Sequence, residues 1–104
     1  MMDLTLADCR REVRAFALLM ERELRKHDYR PGWKGDDATH LTYRVLEEAD
    51  ELKRAMLSTG GVPVHMIGTR HRDAIASDAA DVANMAMMVA DVLGCLDIAS
   101  AEAR

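Results

Sequence analysis

Apolar residues recur at intervals of three and four along three long stretches of the chain, the period of amphipathic helices. The first stretch covers residues 6–26, where Val13, Phe16, Ala17, Met20 and Leu24 form one stripe. Arg10, Arg11, Arg14, Glu21 and Arg25 take much of the remaining surface, and Asp3 or Thr5 is placed to cap the helix. Pro31, Gly32 and Gly35 then break the pattern. A second helix is expected over residues 37–58, striped by Leu41, Val45, Ala49, Leu52 and Met56 and stopped by Thr59-Gly60-Gly61. The third is expected over residues 72–96. Ile75, Ala79, Val82, Ala86, Val89 and Leu93 alternate there in the four-three spacing of left-handed bundle packing. Met85, Met88 and Val92 widen that apolar face beyond what three helices of one chain can cover. The pattern therefore predicts an all-α helical bundle with three main helices per chain, completed by oligomerisation. The tail, residues 100–104, is expected to fray.

Composition supports helices over strands. One Phe, one Trp and two Tyr stand against eight Met in a chain that is 49% hydrophobic. Such a core suits packed helices better than a sheet, which favours aromatic and β-branched residues. At 104 residues the chain is expected to form one domain, residues 1–104, with no internal repeat or low-complexity tract. A net charge of -4 gives no basic field to attract nucleic acid. Cys9 and Cys95 stand in no metal-ligand spacing, as a reducing cytosol allows. Asp3 and Asp8 are where a signal peptide would be basic and then apolar. The most hydrophobic stretch, residues 82–98, contains Asn84, Asp91, Gly94 and Asp97, and is too short and too polar to span a bilayer. A soluble, cytoplasmic protein is expected.

Two acidic pairs carry the chemistry. Glu48-x-x-Glu51 lies on the second expected helix and Asp78-x-x-Asp81 on the third. Carboxylates three apart share a helix face, and each pair borders or interrupts an apolar stripe, where an unpaired carboxylate is unfavourable. Two carboxylates about 6 Å apart repel by roughly 3 kcal/mol at an effective dielectric near 20. Hard divalent cations, which take oxygen ligands, are the simplest relief. Arg44–Glu48 and Glu51–Arg54 are also well spaced as ion pairs, so the first pair taken alone reads more simply as a solvated helix face. Asp81 has no such account, because Asp is a mediocre interior helix residue and this one falls in the broad apolar sector.

Here the chain resembles the MazG-like members of the all-α nucleoside triphosphate pyrophosphohydrolase superfamily. Their signature is ExxE, a spacer and then ExxD on two bundle helices. Glu48 and Glu51, preceded by Glu47 in the frequent EExxEL form, match the first half. Asp78-Ala79-Ala80-Asp81-Val82 matches the second, with Asp78 where the family usually has Glu. The resemblance covers residues 32–93 and implies Mg²⁺-dependent, or Mn²⁺-dependent, cleavage of a (deoxy)nucleoside triphosphate between the α- and β-phosphates. The products would be a nucleoside monophosphate and pyrophosphate, in house-cleaning of the nucleotide pool by a homodimer or homotetramer. It implies metal-ligand roles for Glu48, Glu51, Asp78 and Asp81. Asp78, shorter by one methylene, would reach the metal directly or through water. Glu47 is implied to orient or deprotonate the attacking water.

Further candidates lie outside the acidic pairs. Trp33-Lys34-Gly35 is similar to the Lys- and Trp-containing segment that precedes the first acidic helix in the family. Lys34 is a candidate to hold a phosphate and Trp33 to stack on a base, the alternative being a Trp that caps the core beside a solvated Lys. Asn84 serves either base or sugar recognition or an interhelical hydrogen bond. Arg70 and Arg72 either reach phosphates, across a subunit interface, or are loop cations. His27, His40, His65 and His71 have no zinc spacing, and Met85, Met87 and Met88 read as core or interface. No Ser-His-Asp arrangement or phosphate-binding Gly loop is present. Two alternatives stand beside the pyrophosphohydrolase. One is a sibling activity, such as phosphoribosyl-ATP pyrophosphohydrolase; the other is a non-catalytic helical interaction module whose acidic pairs are plain ion-pair surfaces.

Overall fold

A computed structural model describes residues 4–102 of the chain. Four helices are present and no strand among the described residues: α1 (Arg11–Arg25), α2 (Ala38–Leu57), α3 (Thr69–Val92) and α4 (Ile98–Glu102). Short 3₁₀ turns at Leu6–Asp8 and Val64–Met66 precede α1 and α3. None of these helices is long and apolar enough to cross a membrane.

Local chemistry moves several boundaries from where periodicity puts them. Thr5 does act as a cap, but of the 3₁₀ turn: the Asp8 carboxylate accepts from the Thr5 N–H at 3.0 Å and from its hydroxyl at 3.1 Å. That closed unit ends in extended backbone at Cys9, so α1 begins at Arg11 instead of at residue 6. Asp3, the other expected cap, lies outside the described residues. α2 begins as expected, with the Asp37 side chain accepting from the Thr39 N–H at 2.9 Å. Gly60 and Gly61, at φ 70° and 72°, end it in a backbone conformation that other residues rarely adopt.

α3 starts one turn earlier than expected and also stops earlier. At its C-terminus the Cys95 N–H donates to the Ala90 carbonyl and the Gly94 N–H to Asp91, with Gly94 at φ 71°. This Schellman pattern satisfies the last carbonyls and turns the chain away. Over the described residues the tail is helical. Asp97 accepts from the Ser100 N–H at 3.0 Å and from its hydroxyl, starting α4.

α3 is the central helix, packing along α2 and more lightly on α1, while α1 and α2 scarcely meet. Its most buried positions are Ala80, Asn84 and Met88, successive turns of one face. That face is opposite the Ile75–Val82–Val89 stripe singled out from the sequence, which is only partly covered; Ala86 and Leu93 of the stripe are exposed. The small Ala80 lets its neighbours approach closely, whereas the larger aliphatic side chains are left without full cover. The remaining apolar core is Leu41 and Ile67. Much of α1 is uncovered as well, including Val13, Phe16 and Leu18. The radius of gyration of 15.7 Å exceeds the roughly 13 Å expected for a compact domain of about 100 residues. The single chain is an extended, thinly cored unit.

Candidate functional site

α2 and α3 set three of the four paired carboxylates, Glu48, Glu51 and Asp81, along one cleft. A cleft of about 600 Å³ opens between the end of α1, the α1–α2 connector, α2 and α3. Glu48, Glu51 and Asp81 line it, with Glu23, Arg44, Trp33, Asn84 and Met85. Asp78 stands one turn from Asp81, half-buried and outside the lining.

Electrostatic strain is concentrated here. Burial pushes the Glu48 carboxyl up to about 7, and a hydrogen bond with the Glu51 carboxyl and the charges of Glu51 and Asp81 push it the same way. Arg44 opposes this, reaching Glu48 at 3.3 Å and Glu47 at 2.8 Å. Asp81 is raised by burial, then by the Glu23 and Asp78 charges, with His27 opposing. Asp78 is raised by burial and by Glu51 and Glu23. Each of these three groups therefore carries its charge against resistance in the folded chain.

Glu23 is the member that periodicity missed. It is buried on α1. Burial works against its charge but is outweighed by hydrogen bonds from Lys26, at 2.7 Å, and from Ser77, so its carboxyl is held below the usual range. The signal was present in the spacing: Glu23 falls seven residues after Phe16, and His27 seven after Met20, both along the first apolar stripe. Asp91 was also passed over. One of its carboxylate oxygens accepts from Trp33 Nε1 at 2.7 Å and from Lys34 Nζ at 2.5 Å, clasping the α1–α2 connector to α3.

The remaining sequence candidates scatter. Trp33 lines the cleft, with the Lys34 ammonium 5.6 Å from its ring centre. Lys34 itself is exposed, held by Asp91 and outside the lining. Glu47 is exposed and paired to Arg44, also outside the lining. Arg70 and Arg72 lie exposed in the first turn of α3, away from the cleft, where Arg72 donates to the Thr69 hydroxyl at 3.4 Å. Asn84 is buried in the cleft wall and donates to the Met20 carbonyl at 3.0 Å. Arg54, expected to pair with Glu51, pairs with Asp50 instead, leaving Glu51 to its acidic neighbours.

As a donor set, carboxylate oxygens under mutual repulsion suit a hard divalent cation. In position they are not yet a ligand cage: among the described residues, no group of three or more His, Cys, Asp or Glu side chains is gathered closely enough to hold one. Binding would have to draw these side chains inward, which the raised Glu48 and Asp81 resist without a compensating charge. No protein-family model, characterised protein or solved structure matches the chain.

Proposed function

We propose that the protein is a Mg²⁺-dependent nucleoside triphosphate pyrophosphohydrolase, releasing a (deoxy)nucleoside monophosphate and pyrophosphate in house-cleaning of a cytoplasmic nucleotide pool. The observation that carries this reading is Glu48. A buried carboxyl raised to about 7, facing Glu51 and Asp81 and opposed by Arg44, sits in a cleft of nucleotide-accommodating size.

Glu48, Glu51 and Asp81, with Asp78 behind them, would hold the cation. Mg²⁺, when bound, supplies neutralising charge between carboxylate and polyphosphate oxygens. The chain's own residues do the rest. Trp33 offers an aromatic wall for the base. Lys34, released from Asp91, would meet a phosphate. Glu47 lies outside the cleft lining, paired to Arg44, so it can orient or deprotonate water only after that ion pair opens. A homodimer or homotetramer would cover the half-exposed α3 stripe and α1, as the thin core and the extended shape favour. Such a second copy would also give Arg70 and Arg72 a site to reach.

Hydrolysis with Mg²⁺ in ¹⁸O-labelled water tests the reading. Pyrophosphate is the expected product, with no phospho-enzyme. Orthophosphate released from the γ-position as the primary product would overturn the pyrophosphohydrolase assignment, and no divalent-ion stabilisation at all would leave the helical interaction module as the better account.

A further inference from the structure

Among the described residues, one buried side-chain polar atom lacks a hydrogen-bond partner, and its residue forms part of the cleft wall. Asn84 is 3% exposed. Its Nδ2 donates to the Met20 carbonyl, which fixes the orientation of the amide and leaves Oδ1 as an acceptor with no donor. Such orphans are rare, because a desolvated carbonyl without a partner is unfavourable. Helix packing does not require the amide. Met20 lies inside α1, where the helix's own ladder already supplies its carbonyl with a donor. An alanine at position 84 would leave no orphan.

The surroundings select the missing donor. Trp33 and Met85 line the same cleft and offer a planar ring an aromatic and a thioether surface. Glu48, Glu51 and Asp81 make the cleft acidic, which disfavours ring edges rich in acceptors. The imide N–H of uracil or thymine is flanked by carbonyl oxygens that would face these carboxylates. An exocyclic amine presents two N–H donors, one for Oδ1 and one for a neighbouring carboxylate. We propose that the cleft recognises an amino-bearing base, cytosine, adenine or guanine, through a hydrogen bond from its exocyclic amine to Asn84 Oδ1. This rests on the nucleotide reading above and makes Asn84 its specificity-determining residue. Oδ1 is shielded from water, so the base reaches it by displacing a side chain; Met85, with three rotatable bonds, is suited to move.

Three pairs of monophosphates exchange an amino for an oxo group, the adjoining ring nitrogen gaining a proton: CMP and UMP, AMP and IMP, GMP and xanthosine monophosphate. Calorimetric titration of each into the full chain should show an amino member bound about tenfold or more tighter than its oxo partner. The pair that responds identifies the base. In Asn84→Ala the preference should vanish. Should that variant fail to fold, the ¹⁵N side-chain amide signal of Asn84 in the parent should shift with the amino member and not with the oxo member. Equal affinities, tighter oxo binding, or a preference that survives in Asn84→Ala would overturn the assignment while leaving a nucleotide site in place. Binding of none of the six would remove the nucleotide reading and this inference together.

Discussion

Glu48→Gln should make the metal-free protein more stable, and increasingly so as pH rises. In the unfolded chain Glu48 ionises near 4.5, whereas in the fold it holds its proton to about 7. A carboxyl with a raised folded-state pKa leaves stability intact below the unfolded value; stability is then lost as pH climbs through the window between the two. The shift corresponds to about 3 kcal/mol once pH exceeds 8, about 2 kcal/mol at pH 6 and less than about 1 kcal/mol at pH 5. Gln keeps the shape and removes the charge, so its advantage should follow that curve. The opposing Arg44 contact is already contained in the value of about 7 and needs no separate allowance. For a domain of this size the gain at pH 8 amounts to a rise in Tm on the order of 10 °C. Thermal melts of parent and variant in chelator-treated buffer at pH 5, 6, 7 and 8 read it directly. A variant that melts lower than the parent at pH 8, or a difference that stays flat with pH, would refute the account of Glu48 as a carboxylate held against its neighbours.

Glu51→Gln and Asp81→Asn should each abolish most pyrophosphate release while melting no lower than the metal-free parent, because each removes a charge from a repulsive cluster. Mg²⁺ should raise the parent's Tm more than that of either variant; equal shifts in all three would separate these residues from metal binding. Val89→Asp should dissociate or unfold an oligomer by placing a charge at an apolar contact, and light scattering checks it; a well-folded monomeric parent at micromolar concentration would contradict the expectation. Asp91→Asn should loosen the connector and change the emission of Trp33, the chain's one Trp. The Asp91 carboxyl is held low by its bonds from Lys34 and Trp33, so in the parent the same change should appear only as pH falls through that lowered pKa.

The three long helices were legible because the spacing of apolar residues and the Pro and Gly clusters are local signals. What periodicity could not resolve was competition between local hydrogen bonds. Asp8 closes a turn on Thr5 that detaches the start of α1, and Gly94 completes a helix stop that a run of aliphatic residues conceals. The face that α3 buries was misread for a different reason. Large side chains mark hydrophobicity, but the closest packing occurs at Ala80, where absence of bulk is what matters. At the candidate site the carboxylates of α2 and α3 were visible as paired spacings. Glu23 was not, because Lys26 makes it look like a member of a surface ion pair while the carboxylate itself is buried. Arg54 shows the converse: its choice of Asp50 over Glu51 depends on side-chain reach along the helix, which spacing alone leaves open.

The light docking of α1 has a consequence for the order in which the fold opens. α1 touches little besides α3 and contributes Glu23, whose charge adds to the load on Asp81 and Asp78. Detaching α1 gives up few contacts and relieves that repulsion. α1 should therefore behave as a separate opening unit, exchanging its amide hydrogens for deuterium well before α2 and α3. Raising the pH should hasten this opening beyond the ordinary base catalysis of exchange, whereas a divalent cation between the helices should slow it. Protection of the α1 amides would then report occupancy of the acidic cleft without any turnover being measured.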